Sequence, residues 1–94
     1  MELSERCIQT LEKEGFKHVY ETQDAPGAIY EEHSHEGKVA VLVTEGLFAI
    51  TLQSGVRELG AGERVDIPPQ TPYSALVGKD GCQLVVGEMI DGDF

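Results

Sequence analysis

An all-β domain carrying one short N-terminal helix is the fold this sequence predicts, on three observations. From Phe16 onward the chain runs in short segments rich in Val, Ile, Leu and Tyr, residue types that suit a pleated, half-buried surface. Turn-forming clusters divide those segments at regular intervals: Asp24-Ala25-Pro26-Gly27, Glu45-Gly46, Ser54-Gly55, Gly60-Ala61-Gly62, Pro68-Pro69 and Lys79-Asp80-Gly81. Helical periodicity is confined to the residues before Gly15. So many strands in so short a chain require closure into a barrel or a two-sheet sandwich, because open edges invite unwanted pairing.

The helix is expected over about residues 5–14, with Ser4 as its N-cap, Leu3 and Ile8 as a hydrophobic staple, and Gly15 in the left-handed conformation that ends it. Ile8 and Leu11, with Cys7, form a narrow apolar stripe suited to packing on a sheet, while Glu12, Lys13 and Glu14 read as the solvated side. Strands are predicted near 17–22, 28–35, 39–44, 47–53, 56–59, 64–67, 73–77 and 82–88, which places a barrel over about 16–89. Val39, Val41 and Val43, followed by Phe48, Ile50 and Leu52, alternate so that one face of each strand is apolar and lines the interior. The tail Asp91-Gly92-Asp93-Phe94 is expected to fray. No linker, repeat or low-complexity tract interrupts the chain, so residues 1–94 read as a single domain.

Composition narrows the partners. Seven Lys+Arg stand against seventeen Asp+Glu, a formal charge of −10, and such a field repels polyanions; nucleic acid is not an expected partner. No apolar run approaches the roughly 20 residues that span a bilayer, and Met1-Glu2-Leu3-Ser4-Glu5 lacks the basic start and apolar stretch of a signal peptide. No membrane association and a cytoplasmic location are the resulting expectations. Cys7 and Cys82 are too few for a disulfide framework and lack paired-ligand spacing, so both read as small core hydrophobes.

The chemistry concentrates in Tyr30-Glu31-Glu32-His33-Ser34-His35. Strand side chains alternate between faces, so His33 and His35 project to one side and can hold one metal ion or one anionic ligand between them. By the same alternation Glu31 shares that face, which makes it the candidate carboxylate ligand beside the two imidazoles. His18 has no such neighbour and reads as an ordinary surface histidine.

With its surroundings, this segment resembles the first motif of the cupin superfamily, G-x5-H-x-H-x3,4-E-x6-G: Gly27, five residues, His33-Ser34-His35, and Gly46 in the closing position. Val39 or Ala40 stands where the motif has its glutamate. The second motif, G-x5-P-x-G-x2-H-x3-N, is matched from Gly62 through Pro68, with Gln70, Tyr73 and Val77 replacing its glycine, histidine and asparagine. The resemblance implies a small cupin-like jelly-roll β-barrel with degenerate metal motifs. It implies that His33 and His35 are two metal ligands, that Tyr73 occupies the place of the third histidine, and that Val39 contributes no donor. The metals such sites take are Fe, Mn, Ni, Zn or Cu. It also implies a homodimer, since cupin-like barrels often pair, and a core this small gains from association.

Two functions follow from that resemblance. The first is a barrel with a pocket for a small, partly hydrophobic molecule, around a divalent metal held by His33 and His35 where one is present. The second is a metal-dependent small-molecule enzyme of the dioxygenase or isomerase type, with Tyr73 as its catalytic residue. In the binding reading Tyr73 hydrogen-bonds a carbonyl or carboxylate of the ligand. Two imidazoles supply only half of the usual three or four protein ligands, so the metal depends on a further donor from Tyr73 or Glu31.

Overall fold

The computed structural model describes residues 2–89; the predicted fraying of the tail lies outside them. Helix α1 spans Leu3–Lys13. It starts ahead of Ser4, on Glu2 in extended conformation with no side-chain cap. The predicted cap and staple are therefore replaced by packing: Leu3 and Ile8 both lie against the apolar layer beneath the helix. Burying two apolar side chains there outweighs the roughly 1 kcal/mol that a hydroxyl cap contributes. The C-terminus forms as predicted, with Gly15 at φ +100°. Gly15 N–H donates to Glu12 C=O and Phe16 N–H to Leu11 C=O, which satisfies the last carbonyls and folds Phe16 back toward Leu11.

Six strands follow: β1 (His18–Asp24), β2 (Ile29–His33), β3 (Val39–Leu52), β4 (Gly55–Leu59), β5 (Arg64–Ile67) and β6 (Tyr73–Glu88). The eight predicted segments become six because two predicted turns are bends within continuous strands. Glu45-Gly46 interrupts the β3 register without ending the strand, and Lys79-Asp80-Gly81 does the same in β6. Gly46 and Gly81 both take positive φ and meet at the bend, where a Cβ on Gly46 would lie 2.1 Å from the Gly81 carbonyl oxygen. No other residue type fits that crossing.

The long strands β3 and β6 pair antiparallel along both sides of the bend and fold one continuous sheet into two facing halves. In one half, β1 and β5 flank residues 82–88 of β6 and 39–42 of β3. In the other, β2 and β4 flank the N-terminal part of β6 and the C-terminal part of β3. Val41, Val43, Leu84 and Val86 of the first half share a core with Phe48, Ile50, Ala75 and Val77 of the second. Side chains tie the seams between the halves: Tyr30 O–H donates to Asp24 (2.6 Å) across β2 and β1, and Arg57 donates to the Arg64 carbonyl (3.3 Å) across β4 and β5.

Helix α1 covers the outer face of the first half, which we call the helix half. Leu11 and Phe16 are buried there with Cys7, Ala40 and Val85. Gly87 makes the close approach possible, since a Cβ on it would sit 2.9 Å from Leu11 and 3.1 Å from Phe16. Arg64 on β5 clasps the helix end through two bonds to Glu14 (2.6 and 2.7 Å) while also binding Asp66 (2.6 and 2.9 Å). Among the described residues no element covers the outer face of the other half, the open half. Among the described residues no helix is long and apolar enough to cross a membrane.

Candidate functional site

The two histidines and Tyr73 converge. His33 and Tyr73 are cross-strand partners on β2 and β6, with ring centroids 4.5 Å apart. His35 lies just beyond β2, its Nε2 2.9 Å from the Tyr73 hydroxyl and its ring 5.1 Å from that of His33. Its backbone is held by Gln70, whose N–H donates to the His35 carbonyl (2.7 Å). Gln70, which stands where the second motif has its glycine, takes a left-handed backbone conformation at φ +59°. This strained conformation, worth about 1–2 kcal/mol in an isolated residue, aims the amide at the histidine segment.

Glu31 does not join them. Between Tyr30 and His33 the β2 register slips: three steps along β2 match two along β6, from Ala75 to Tyr73. This bulge inverts the alternation, so Tyr30 rather than Glu31 faces inward with His33, and the Glu31 side chain is exposed. Only its backbone takes part, accepting a hydrogen bond from His33 Nδ1 (2.7 Å). A carbonyl can only accept, so Nδ1 carries a proton, and in the neutral imidazole the lone pair is on Nε2.

His33, His35 and Tyr73 form one wall of a cavity of about 130 Å³ between the two halves. Val39, Val41 and Phe48 line it as expected. Tyr20, Thr22 and Glu88 line it as well, all from the helix half, and no motif drew attention to them. Their signal is positional: Cys82, Leu84 and Val86 alternate inward, and the next step of that alternation is a glutamate. Glu88 is the cross-strand partner of Val39 and accepts a hydrogen bond from the Tyr20 hydroxyl (2.6 Å). The buried Thr22 hydroxyl has no hydrogen-bond partner among the described residues.

Burial, aided by the Glu88 charge, pushes the Tyr73 phenol up to about 12. It is a neutral hydrogen-bonding group at physiological pH, and a proton held that tightly is poorly matched to transfer. Tyr20 and Tyr30 are raised too, by burial first and then by their hydrogen bonds to Glu88 and Asp24. Cys82 is likewise held as a thiol, pushed to about 11 by burial and then by Asp24, and buried Cys7 is raised for the same first reason.

These donors do not fit the resident metal that the motif resemblance implies. His33 and His35 are near each other, but Val39 has no donor and Glu31 faces away. Among the described residues no group of three or more His, Cys, Asp or Glu side chains is placed to hold an ion.

No protein-family model matches the chain, and no curated protein matches it by sequence. Solved structures do match. A cupin superfamily protein from Desulfitobacterium hafniense superposes with a TM-score of 0.69 at 17% identity, covering 81% of each chain. The chain has a cupin fold. The cupin architecture is shared with KdgF from Halomonas sp., at a TM-score of 0.66 and 20% identity over 81% of this chain and 72% of that one. It is shared again with the DMSP lyase DddQ from Ruegeria pomeroyi, at a TM-score of 0.72 and 19% identity over 81% of this chain but 39% of the other. Identities this low carry the cupin architecture and no particular chemistry.

Proposed function

We propose that this cupin is a small-molecule-binding barrel whose ligand occupies the cavity between the two halves, anchored by His33, His35 and Tyr73 without a resident metal. The observation that carries the reading is the convergence of those three side chains on a cavity that also holds an unsatisfied buried hydroxyl, Thr22. Leaving such a group unpaired costs about 1–3 kcal/mol, and a ligand or water that bonds it recovers that cost. The volume supports a small occupant, since a cavity of about 150 Å³ is known to admit benzene. Apolar lining by Val39, Val41, Phe48, Leu84 and Val86 favours a partly hydrophobic one.

Elemental analysis of untagged protein, together with ligand titrations of wild type and Tyr73→Phe, tests this. The expected result is metal far below one equivalent, and ligand affinity that falls about tenfold on loss of the hydroxyl. One equivalent of metal that disappears in both His33→Ala and His35→Ala would overturn the metal-free reading and favour the metal-dependent enzyme. We also propose a homodimer, supported by the small core and by the exposure of Ile29 (73%) and Leu76 (50%), cross-strand neighbours on the open half. A monomeric mass by light scattering at micromolar concentration would remove that proposal.

A further inference from the structure

A count of donors and acceptors around the cavity narrows its ligand. Most donors are already spent: Tyr20 O–H on Glu88, Tyr30 O–H on Asp24, and His33 Nδ1–H on the Glu31 carbonyl. His35 Nε2 and the Tyr73 hydroxyl are engaged with each other. The acceptors are not spent. Among the described residues Glu88 is bonded through Oε2 alone, His33 Nε2 has no partner, and the Thr22 hydroxyl, which can accept or donate, has none. Open groups that are two acceptors and one hydroxyl serving either way favour a guest that brings donors.

Charge selects the same way. No Lys or Arg lines the cavity, Glu88 is its acidic residue, and the whole chain carries −10. A carboxylate-bearing ligand would meet an unneutralised carboxylate in a confined space, which costs far more than in water. Aromatic rings line the cavity as well: Tyr20, Tyr73, and Tyr30 edge-on to Phe48 at 5.9 Å. The faces of such rings attract organic cations within about 6 Å.

We propose that the ligand is a small primary alkylammonium, its N–H donors met by Glu88 and His33 and its short chain held among the aromatic and valine side chains, on the side of Thr22. This rests on the cavity being a binding site and specifies the chemistry of its guest. A carboxylate or carbonyl, the partner expected for Tyr73 from the sequence, is then a poor ligand.

The test compares three probes of equal chain length at neutral pH: propylammonium, n-propanol and propionate. Each is titrated into the full chain by calorimetry and by NMR of side-chain resonances. Propylammonium is expected to saturate the site and to bind at least about tenfold more tightly than propionate. Glu88→Gln is expected to weaken propylammonium about tenfold while leaving n-propanol within about twofold, and Thr22→Val, four residues along the strand face from Glu88, to leave propylammonium within about twofold. Propionate binding as tightly as propylammonium, or an affinity unchanged in folded Glu88→Gln, would overturn the proposal. If Glu88→Gln does not fold, the comparison of head groups on wild type decides alone. Binding of n-propanol or propionate in a Tyr73-dependent way, with propylammonium inert, would remove the ammonium guest and leave the pocket standing. No response of His33, Tyr73 or Thr22 to any probe would remove both.

Discussion

On the helix half, Val85 and Ala40 point outward and are fully buried, because α1 lies across them; on the open half, Ile29 and Leu76 point outward and remain 73% and 50% exposed. The inner faces of the two halves differ far less, since both feed one apolar core. Cover, not strand composition, separates the outer faces. The contrast also divides the cavity. The open half supplies His33 and Tyr73, and the helix half supplies Tyr20, Thr22 and Glu88, so the side backed by a second apolar layer carries the carboxylate.

If the helix is what makes the helix half rigid, Leu11→Ala should be the most damaging of the changes considered on either outer face. Leu11 is wholly buried under the helix, and removing it is expected to cost about 2–5 kcal/mol of unfolding free energy in denaturant titration. A cost below about 1 kcal/mol would mean that α1 is loosely attached and that the two halves are alike.

A smaller effect is expected from Arg64→Ala, which opens the clasp between β5 and the helix end. The Arg64 guanidinium holds the Glu14 and Asp66 carboxyls below their usual range. Carboxyls depressed in the folded state stabilise it above their unfolded values and lose that contribution as pH falls through the folded values. Melting temperature should therefore fall less steeply with acid in Arg64→Ala than in wild type, with a modest drop at neutral pH because the pair is partly exposed. Identical acid profiles would show that the clasp contributes nothing to holding the helix down.

The smallest effect belongs to the open half. Leu76→Ala is expected to change monomer stability by no more than about 0.5 kcal/mol, since the side chain is half exposed. A loss comparable to Leu11→Ala at high protein concentration, fading on dilution, would show that the exposed face is covered by a second copy.

Much of the architecture was legible because alternation and turn residues act locally. Gly15 ended the helix, and the inward set of Val39, Val41, Phe48 and Ile50 packed as its spacing required. The bends at Gly46 and Gly81 read as turns because positive-φ glycines serve both, and only long-range pairing distinguishes them. At the site, His33, His35 and Tyr73 came from a strand pattern and a motif resemblance, and they do line one cavity. Glu31 was misplaced because a single-residue bulge reverses every face beyond it, and nothing in Tyr30-Glu31-Glu32-His33 announces the slip. Thr22 and Glu88 went unrecognised because the fold, not the sequence neighbourhood, brings β1 and the end of β6 opposite the histidines.

The claim on which the rest depends is that groups from both halves enclose one cavity and take up one guest together. An NMR titration with propylammonium that follows Thr22 and Glu88 on one side and His33 and Tyr73 on the other tests it most directly. The account predicts that all four respond along a single saturation curve; two separate curves, or a response confined to one half, would contradict it.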